Sequence, residues 1–115
     1  MAAALGVGTL DAFEYDPVAR ARASEKAGVA IPYGALPDDI PFTDRTYDLI
    51  VLFDVLEHIE DDTATLAALG AHLAPNGRIL LTVPAMPSLW SAHDTYNHHF
   101  RRYTRASLKK AVAAS

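Results

Sequence analysis

The feature that most constrains the fold is an apolar run that stops abruptly in polar residues. Residues 48–53 are almost continuously hydrophobic and rich in strand formers, which predicts a strand buried on both faces of a parallel sheet. Residues 54–58 then bring in Asp, Glu and His, and apolar side chains recur at helical spacing over residues 59–73. The polar cluster therefore falls where a parallel strand ends and a helix begins. In open α/β sheets, ligands bind at that edge.

Size and composition narrow the class of protein. A chain of 115 residues holds one small domain. Its net charge of −4 argues against a broad nucleic-acid surface, although basic residues cluster at 101–110. The absence of cysteine excludes disulfides and thiol catalysis. No apolar run approaches the roughly 18 residues that a membrane span needs, and no basic secretory signal is present. We therefore expect a cytoplasmic protein with neither a membrane nor a nucleic acid as its partner.

Predicted strands and helices alternate along the rest of the chain. Turn residues and hydrophobic periodicity predict short strands at 10–15, 29–33 and 78–83, helices at 17–27 and from about 104, and irregular segments at 34–46 and 85–103. A helix tail at residues 2–5, capped by Gly6 and Gly8, precedes them. This rhythm predicts an α/β protein with a Rossmann-like, doubly wound sheet.

Two further segments carry candidate binding residues. Glu14 ends a predicted strand, where a carboxylate can accept both ribose hydroxyls of a nucleotide cofactor, whereas Asp16 better suits the cap of the following helix. In the loop after residue 33, Gly34 permits close backbone approach, and Ala35 and Leu36 can flank an adenine ring. The same loop can equally be a surface loop whose apolar residues plug the sheet edge.

Histidines supply the candidate catalytic groups. His58 stands beside Glu57, and the pair can act in acid–base chemistry or simply support the start of the helix. Three more histidines, His93, His98 and His99, lie among aromatic residues in the segment 85–103. This composition is typical of a lid over the substrate, or alternatively of a segment that covers the hydrophobic core. Histidines and carboxylates can also bind metal ions, but the spacing matches no metal motif, so no metal site is predicted.

Taken together, these motifs resemble class I S-adenosylmethionine-dependent methyltransferases of the type 11/12 kind. Residues 48–62, containing Asp54-Val55-Leu56-Glu57-His58, resemble the fourth-strand motif of that family. Residues 73–84 are similar to its leucine-x-proline-glycine-glycine turn and fifth strand, with Asn76 replacing the first glycine. Residues 89–103 resemble the loop after that strand in one bacterial branch. The resemblance covers nearly the whole chain in the correct order.

The resemblance implies S-adenosylmethionine as the cofactor and a small molecule as the methyl acceptor. It implies that the cofactor is bound by Glu14 at the ribose, Tyr15, Ala35 and Leu36 around the adenine, and Phe53 and Asp54 at the methionine end. His58 and the aromatic loop with His93 would face the acceptor, which makes these two histidines the candidate catalytic residues.

The chain also departs from the family pattern. Such enzymes carry a glycine-rich turn after their first strand, about 20 residues before the ribose acid. Here Glu14 is only the fourteenth residue, and Gly6-Val7-Gly8 precedes the predicted second strand instead of following a first one. We therefore expect residues 1–115 to form a partial domain that lacks the first strand and the last two, with doubtful activity by itself. Unpaired sheet edges then predict a homo-oligomer formed by strand exchange.

Two other functions fit the same pattern. A non-catalytic Rossmann-like domain that acts through protein–protein contacts would explain the missing glycine turn. A nicotinamide-dependent oxidoreductase shares the doubly wound sheet, but the chain contains no Tyr-x-x-x-Lys. Nucleic-acid methylation is disfavoured, because no Asn-Pro-Pro-Tyr or Asp-Pro-Pro-Tyr follows the predicted strand at 48–53.

Overall fold

The computed structural model describes residues 8–115, and these form two compact units. The first contains residues 8–35 with Asp39–Pro41, and the second contains Leu36–Asp38 with Phe42–Ser115. The helix tail predicted at residues 2–5 and its cap residue Gly6 lie outside the described residues. No helix within residues 8–115 combines the length and the apolar character needed to cross a bilayer.

Helix α1, Pro17–Ala27, dominates the first unit and confirms the prediction made from its ends. The Asp16 carboxylate accepts a hydrogen bond from the Ala19 amide at 2.7 Å, which satisfies one of the free amides of the first turn. Gly28 ends the helix in the left-handed conformation, with φ of 72°. Local side-chain chemistry therefore sets both ends of α1.

The two strands predicted beside α1 are reduced to a single parallel bridge between Glu14 and Tyr33. The Glu14 amide donates to the Pro32 carbonyl at 3.2 Å and the Gly34 amide donates to the Glu14 carbonyl at 3.4 Å, but Pro32 has no amide that could continue the ladder. Leu10 and Val29 are 71% and 62% exposed. Extending the ladder would therefore gain little stability from the burial of these side chains. Gly34 was expected to let a ligand approach the backbone closely, but the ring of Phe13 occupies the space that a Cβ at that position would need.

A β–α–β arrangement forms the centre of the second unit. Strands β1, Tyr47–Phe53, and β2, Leu73–Thr82, pair in parallel, and helix α2, Asp62–Gly70, connects them. The predicted helix over residues 59–73 is therefore too long at both ends. A 3-10 turn, Leu56–His58, follows β1, and the Asp61 carboxylate caps α2 by accepting from the Ala64 amide at 2.8 Å. The cap sets the start of the helix three residues later than periodicity suggested.

The prediction that β1 is buried on both faces is wrong. Leu52 is the buried residue of this strand, whereas Leu49, Val51 and Phe53 are 54%, 45% and 61% exposed. The core gathers on one side of the sheet, where Leu56, Leu66, Tyr103 and Ala111 pack together with Leu81 of β2. On the other side, Leu80 of β2 is also half exposed and stands in register with Val51. The sheet thus has one covered face and one open apolar face within the described chain.

Strand β2 begins earlier than predicted and contains the expected turn. Tyr47 pairs with Leu73 and Leu49 pairs with Arg78, so extra residues of β2 are accommodated in a bulge. Asn76 has a φ of 63° in this bulge. Hydrogen bonding across the bulge, rather than local turn propensity, sets where the strand begins.

Replacing Gly77 with alanine should destabilise the protein by about 1–3 kcal/mol. A Cβ there would lie 2.8 Å from the carbonyl oxygens of both Ala74 and Tyr47, which are backbone atoms that must shift. Gly70→Ala is the matched control, because a Cβ at the end of α2 meets nothing within 4 Å and alanine favours helix by up to about 1 kcal/mol. Urea unfolding of both variants checks this, and equal effects of the two would contradict it.

The segment after β2 is more ordered than predicted. It contains a 3-10 turn, Pro87–Leu89, and helix α3, Ala92–Tyr96. It leads into helix α4, Arg105–Ala114, which begins near residue 104 as predicted and is capped by Thr104. The ends of this segment are joined: the Tyr103 amide donates to the Pro84 carbonyl and the Met86 amide donates to the Tyr103 carbonyl, each at 2.9 Å. We call residues 84–103 the closing loop.

Candidate functional site

A cavity of about 400 Å³ lies at the carboxyl ends of the two parallel strands. Two groups of residues line it, those that follow β1 and those of the closing loop: Asp54, Glu57, His58, Pro84, His93, Asn97, His99 and Arg102. All of these belong to the second unit. The cavity therefore occupies the edge at which open α/β sheets bind their ligands.

Asp54 is held at the end of β1 by the end of β2. Its amide donates to both oxygens of Thr82, the carbonyl and the hydroxyl, at 3.1 Å, and the Thr82 hydroxyl donates to the Asp54 carboxylate at 3.2 Å. These contacts accompany a φ of 53° at Asp54, a left-handed conformation that aspartate tolerates better than most residues. The strand pair thus directs this acid to the cavity.

Glu57 is a buried carboxyl group in the wall of the cavity. The 3-10 turn leaves only 1% of the residue exposed, and the Phe100 amide fixes its backbone by donating to the Glu57 carbonyl at 2.7 Å. Burial raises the pKa of the Glu57 carboxyl. Among the described residues, the buried Oε2 atom of this group has no hydrogen-bond partner, and Nε2 of His58 is 3.9 Å from the other oxygen.

Asp94 organises the closing loop from the inside. The side chain is fully buried and accepts two hydrogen bonds from the Arg102 guanidinium, at 2.8 and 2.9 Å, and one from His99 Nδ1 at 3.0 Å. The amide and hydroxyl of Ser91 also donate to it. The Arg102 guanidinium, followed by these other donors, holds the pKa of the Asp94 carboxyl far below its usual range. Asp94 therefore fixes the position of two cavity residues, His99 and Arg102.

Arg101 and Tyr103 tie the closing loop to the turn after β1. The Arg101 guanidinium donates to the carbonyl of Ile59 at 2.7 Å and to that of Glu60. The Tyr103 hydroxyl donates to the Asp62 carboxylate at 2.8 Å, and burial raises the pKa of Tyr103 to about 12. Arg101 and Arg102 of the basic cluster in the sequence thus serve internal contacts.

The structure brings together three of the residues predicted for the site. Asp54, His58 and His93 all line the cavity. Phe53 and Leu36 do not line it, and Phe53 projects on the open face of the sheet with 61% of its surface exposed.

Glu14, Tyr15 and Ala35 belong to the first unit. Within that unit Glu14 accepts from the Gly34 amide through its carbonyl at 3.4 Å, and its carboxylate accepts from the Asp16 amide at 3.0 Å. The ring of Tyr15 lies 6.1 Å from that of Tyr33 and the residue is 67% exposed. A carboxylate and an accessible aromatic ring thus follow each other at the end of this bridge.

Sequence analysis expected the segment 85–103 to cover the site or the core and expected His93 to face the acceptor. It weighed His99 only as a possible metal ligand, and it assigned no role in the site to Asn97 or Arg102, which also line the cavity. One signal was present in the sequence: Asp94 is followed within eight residues by His99 and Arg102, a pattern that a single buried acid can organise. The sequence alone does not show these contacts, whereas the structure shows that both side chains bond to Asp94.

Two comparisons with known proteins bear on this site. A family model described as a methyltransferase domain matches residues 1–115. No curated protein matches the chain significantly.

Proposed function

Because the chain belongs to the methyltransferase domain family, we propose that it transfers a methyl group from S-adenosylmethionine to a small molecule. The observation that carries this proposal is the cavity of about 400 Å³ at the carboxyl edge of β1 and β2. Its volume lies in the range of small-molecule sites. Imidazole and carboxyl groups line it, and the guanidinium of Arg102, which also lines it, is paired with Asp94.

The residues present fit the proposed cofactor. When bound, S-adenosylmethionine supplies an electrophilic methyl group on a positively charged sulfur. In the second unit, the carboxyl group of Asp54 lines the cavity and suits a cationic ligand. In the first unit, Glu14 offers a carboxylate for ribose hydroxyls and Tyr15 an exposed ring for adenine. We assign Ala35, Leu36 and Phe53 to the cofactor from the family resemblance.

The chain's own contribution to the reaction would be mainly positional. Methyl transfer needs the acceptor atom held in line with the methyl group, and fixed walls achieve this by removing orientational freedom. Asp94 and Arg101 supply such walls by anchoring the closing loop. His93 and His58 are the candidate bases for an acceptor proton, since both line the cavity and an imidazole nitrogen can accept a proton.

Calorimetric titration with S-adenosylhomocysteine tests the cofactor assignment. We expect binding to the wild-type chain, and we expect Glu14→Ala to weaken it by about 10- to 100-fold, because a charged hydrogen bond contributes roughly 1.5–3 kcal/mol. Glu25→Ala is the matched control, since it removes an exposed carboxylate from α1 of the same unit. No binding to any of the three proteins would instead favour the non-catalytic domain that acts through protein contacts.

We also propose that the chain self-associates through its sheet. Parallel sheets are normally covered on both faces, yet the open face presents Leu49, Val51, Phe53 and Leu80, and within the described residues the sheet has two strands. A second copy of the chain would cover this face or extend the sheet by strand exchange. Light scattering should show a dimer that Leu80→Lys weakens and that Leu89→Lys, at a residue outside the sheet that is 58% exposed, leaves intact. A monodisperse wild-type monomer at high concentration would contradict this proposal.

A further inference from the structure

We propose that Glu57, His58 and His99 form a binding site for a divalent transition-metal ion in the wall of the cavity. This inference goes beyond methyl transfer and does not depend on it. Each of the three residues offers one ligand atom, and these atoms lie within 4.8 Å of one another. Two imidazoles and one carboxylate are the ligands of many zinc and non-haem iron sites that keep an open coordination position.

The unpartnered oxygen of Glu57 is an independent observation that points to a ligand. A buried polar atom without a partner costs free energy, and folded proteins rarely leave one unsatisfied. Oε2 of Glu57 is such an atom among the described residues, and Glu57 lines the cavity while only 1% exposed. A bound cation would satisfy this oxygen.

The second observation is the orientation of His99. Its Nδ1 atom is 3.0 Å from Oδ1 of Asp94, and a carboxylate accepts hydrogen bonds, so Nδ1 is the donor and, in the neutral ring that binds metals, Nε2 carries the lone pair. Metal-binding histidines commonly donate their other nitrogen to a carboxylate in this way, which fixes the tautomer and the ring. The Arg102 guanidinium in turn holds Asp94 at 2.8 Å. The second layer of a metal site is therefore already in place around His99.

His58 is the adjustable member of the three. Ligand distances of about 2.0–2.2 Å require the donor atoms to lie roughly 3–4 Å apart, so the cluster must contract slightly on binding. Glu57 is buried and His99 is pinned, whereas the His58 side chain is 43% exposed. Its ring stands edge-on to the His99 ring, with centroids 4.6 Å apart. We therefore assign the adjustment on metal binding to the side chain of His58.

The sequence predicted no metal site because the ligands are far apart in the chain. Glu57 and His58 come from the turn after β1, whereas His99 comes from the closing loop. His93 and His98, which sequence reasoning considered beside His99, are not members of the cluster. With His58 assigned to the metal, His93 becomes the base for an acceptor proton in the proposed reaction.

Calorimetric titration of the untagged chain with Zn²⁺ tests the proposal. We expect one ion per chain in the wild-type protein. Loss of an outer-layer partner typically costs about 10- to 100-fold in metal affinity, so Glu57→Gln and His58→Ala, which remove ligands, should each weaken binding by at least that factor. His98→Asn is the control: it removes an exposed imidazole of the same loop at a φ of 56° that asparagine tolerates.

Co²⁺ provides a readout that does not rely on heat. The visible ligand-field bands of a four-coordinate Co²⁺ complex should appear on titration of the wild-type chain and of His98→Asn, and they should be lost in Glu57→Gln and His58→Ala. Circular dichroism of each variant separates loss of the site from loss of the fold. The proposal is overturned if the wild-type chain binds no ion, or if Glu57→Gln and His58→Ala, both folded, bind as tightly as the control.

Discussion

Replacing Asp94 with asparagine is expected to lower the midpoint of thermal unfolding by on the order of 10 °C. The carboxylate accepts five hydrogen bonds inside the closing loop, from Arg102, His99 and Ser91. The uncharged amide cannot match the paired contact with the guanidinium, and the Arg102 charge would be left partly buried without its partner. Removing one partner of a buried ion pair destabilises the fold by more than the pair's net contribution to stability, because the remaining charge stays buried and keeps its desolvation penalty.

Differential scanning calorimetry measures this effect. Asp44→Asn is the control, because Asp44 is exposed and a surface substitution of this kind changes stability by at most about 0.5 kcal/mol. If Asp94→Asn and Asp44→Asn unfold at the same temperature, the hydrogen-bond centre assigned to Asp94 does not exist.

The pH dependence of the same variant provides a second test. The folded pKa of Asp94 lies below its ordinary value of 3.8, so its carboxylate stabilises the fold above that value. This stabilisation is lost as the pH falls from about 4 towards the folded pKa. The difference in midpoint between wild type and Asp94→Asn should therefore be full at pH 6 and should shrink below about pH 4. A difference that grew on acidification would have the wrong sign.

Replacing Leu56 with alanine is expected to destabilise the chain by about 2–5 kcal/mol. Leu56 is fully buried and belongs to the core cluster with Leu66, Tyr103 and Ala111. Truncation removes apolar contacts and leaves a cavity that a close-packed interior fills only in part. For a small domain this is a large share of the total free energy of unfolding.

The effect of Leu56→Ala should reach the site. Leu56 begins the 3-10 turn that carries Glu57 and His58, so loosening it should also weaken Zn²⁺ binding, even at temperatures where the variant is folded. Leu89→Ala is the matched control, since Leu89 is 58% exposed and its truncation should cost little. Urea unfolding curves measure the stability, and equal curves for the two variants would show that Leu56 is not part of the core.

Several elements could be predicted because their determinants are local. Asp16, Pro17 and Gly28 set the ends of α1, and Thr104 sets the start of α4, through contacts with residues a few positions away. The apolar run of β1 and the acids and histidine after it were likewise readable. The family followed from the order of such motifs, and the match over residues 1–115 confirms it.

The candidate site depended on contacts that no local pattern encodes. Periodicity could not show that β1 is covered on one face only, because burial depends on which helices pack against the sheet. Nor could it extend β2 back to Leu73, since pairing with Tyr47, which is distant in the chain, decides where that strand begins.

The sequence by itself determined the two ends of α1, the position of the strand β1 and the polar edge that marks the chain as a methyltransferase-family domain. The tertiary structure alone decided that Asp94 is a buried centre and that His99 faces Glu57 and His58. The physical reason is the distance along the chain over which each interaction acts. Caps and periodicity act over one or two helical turns, whereas burial and ion pairing depend on which distant segments the closing loop brings together.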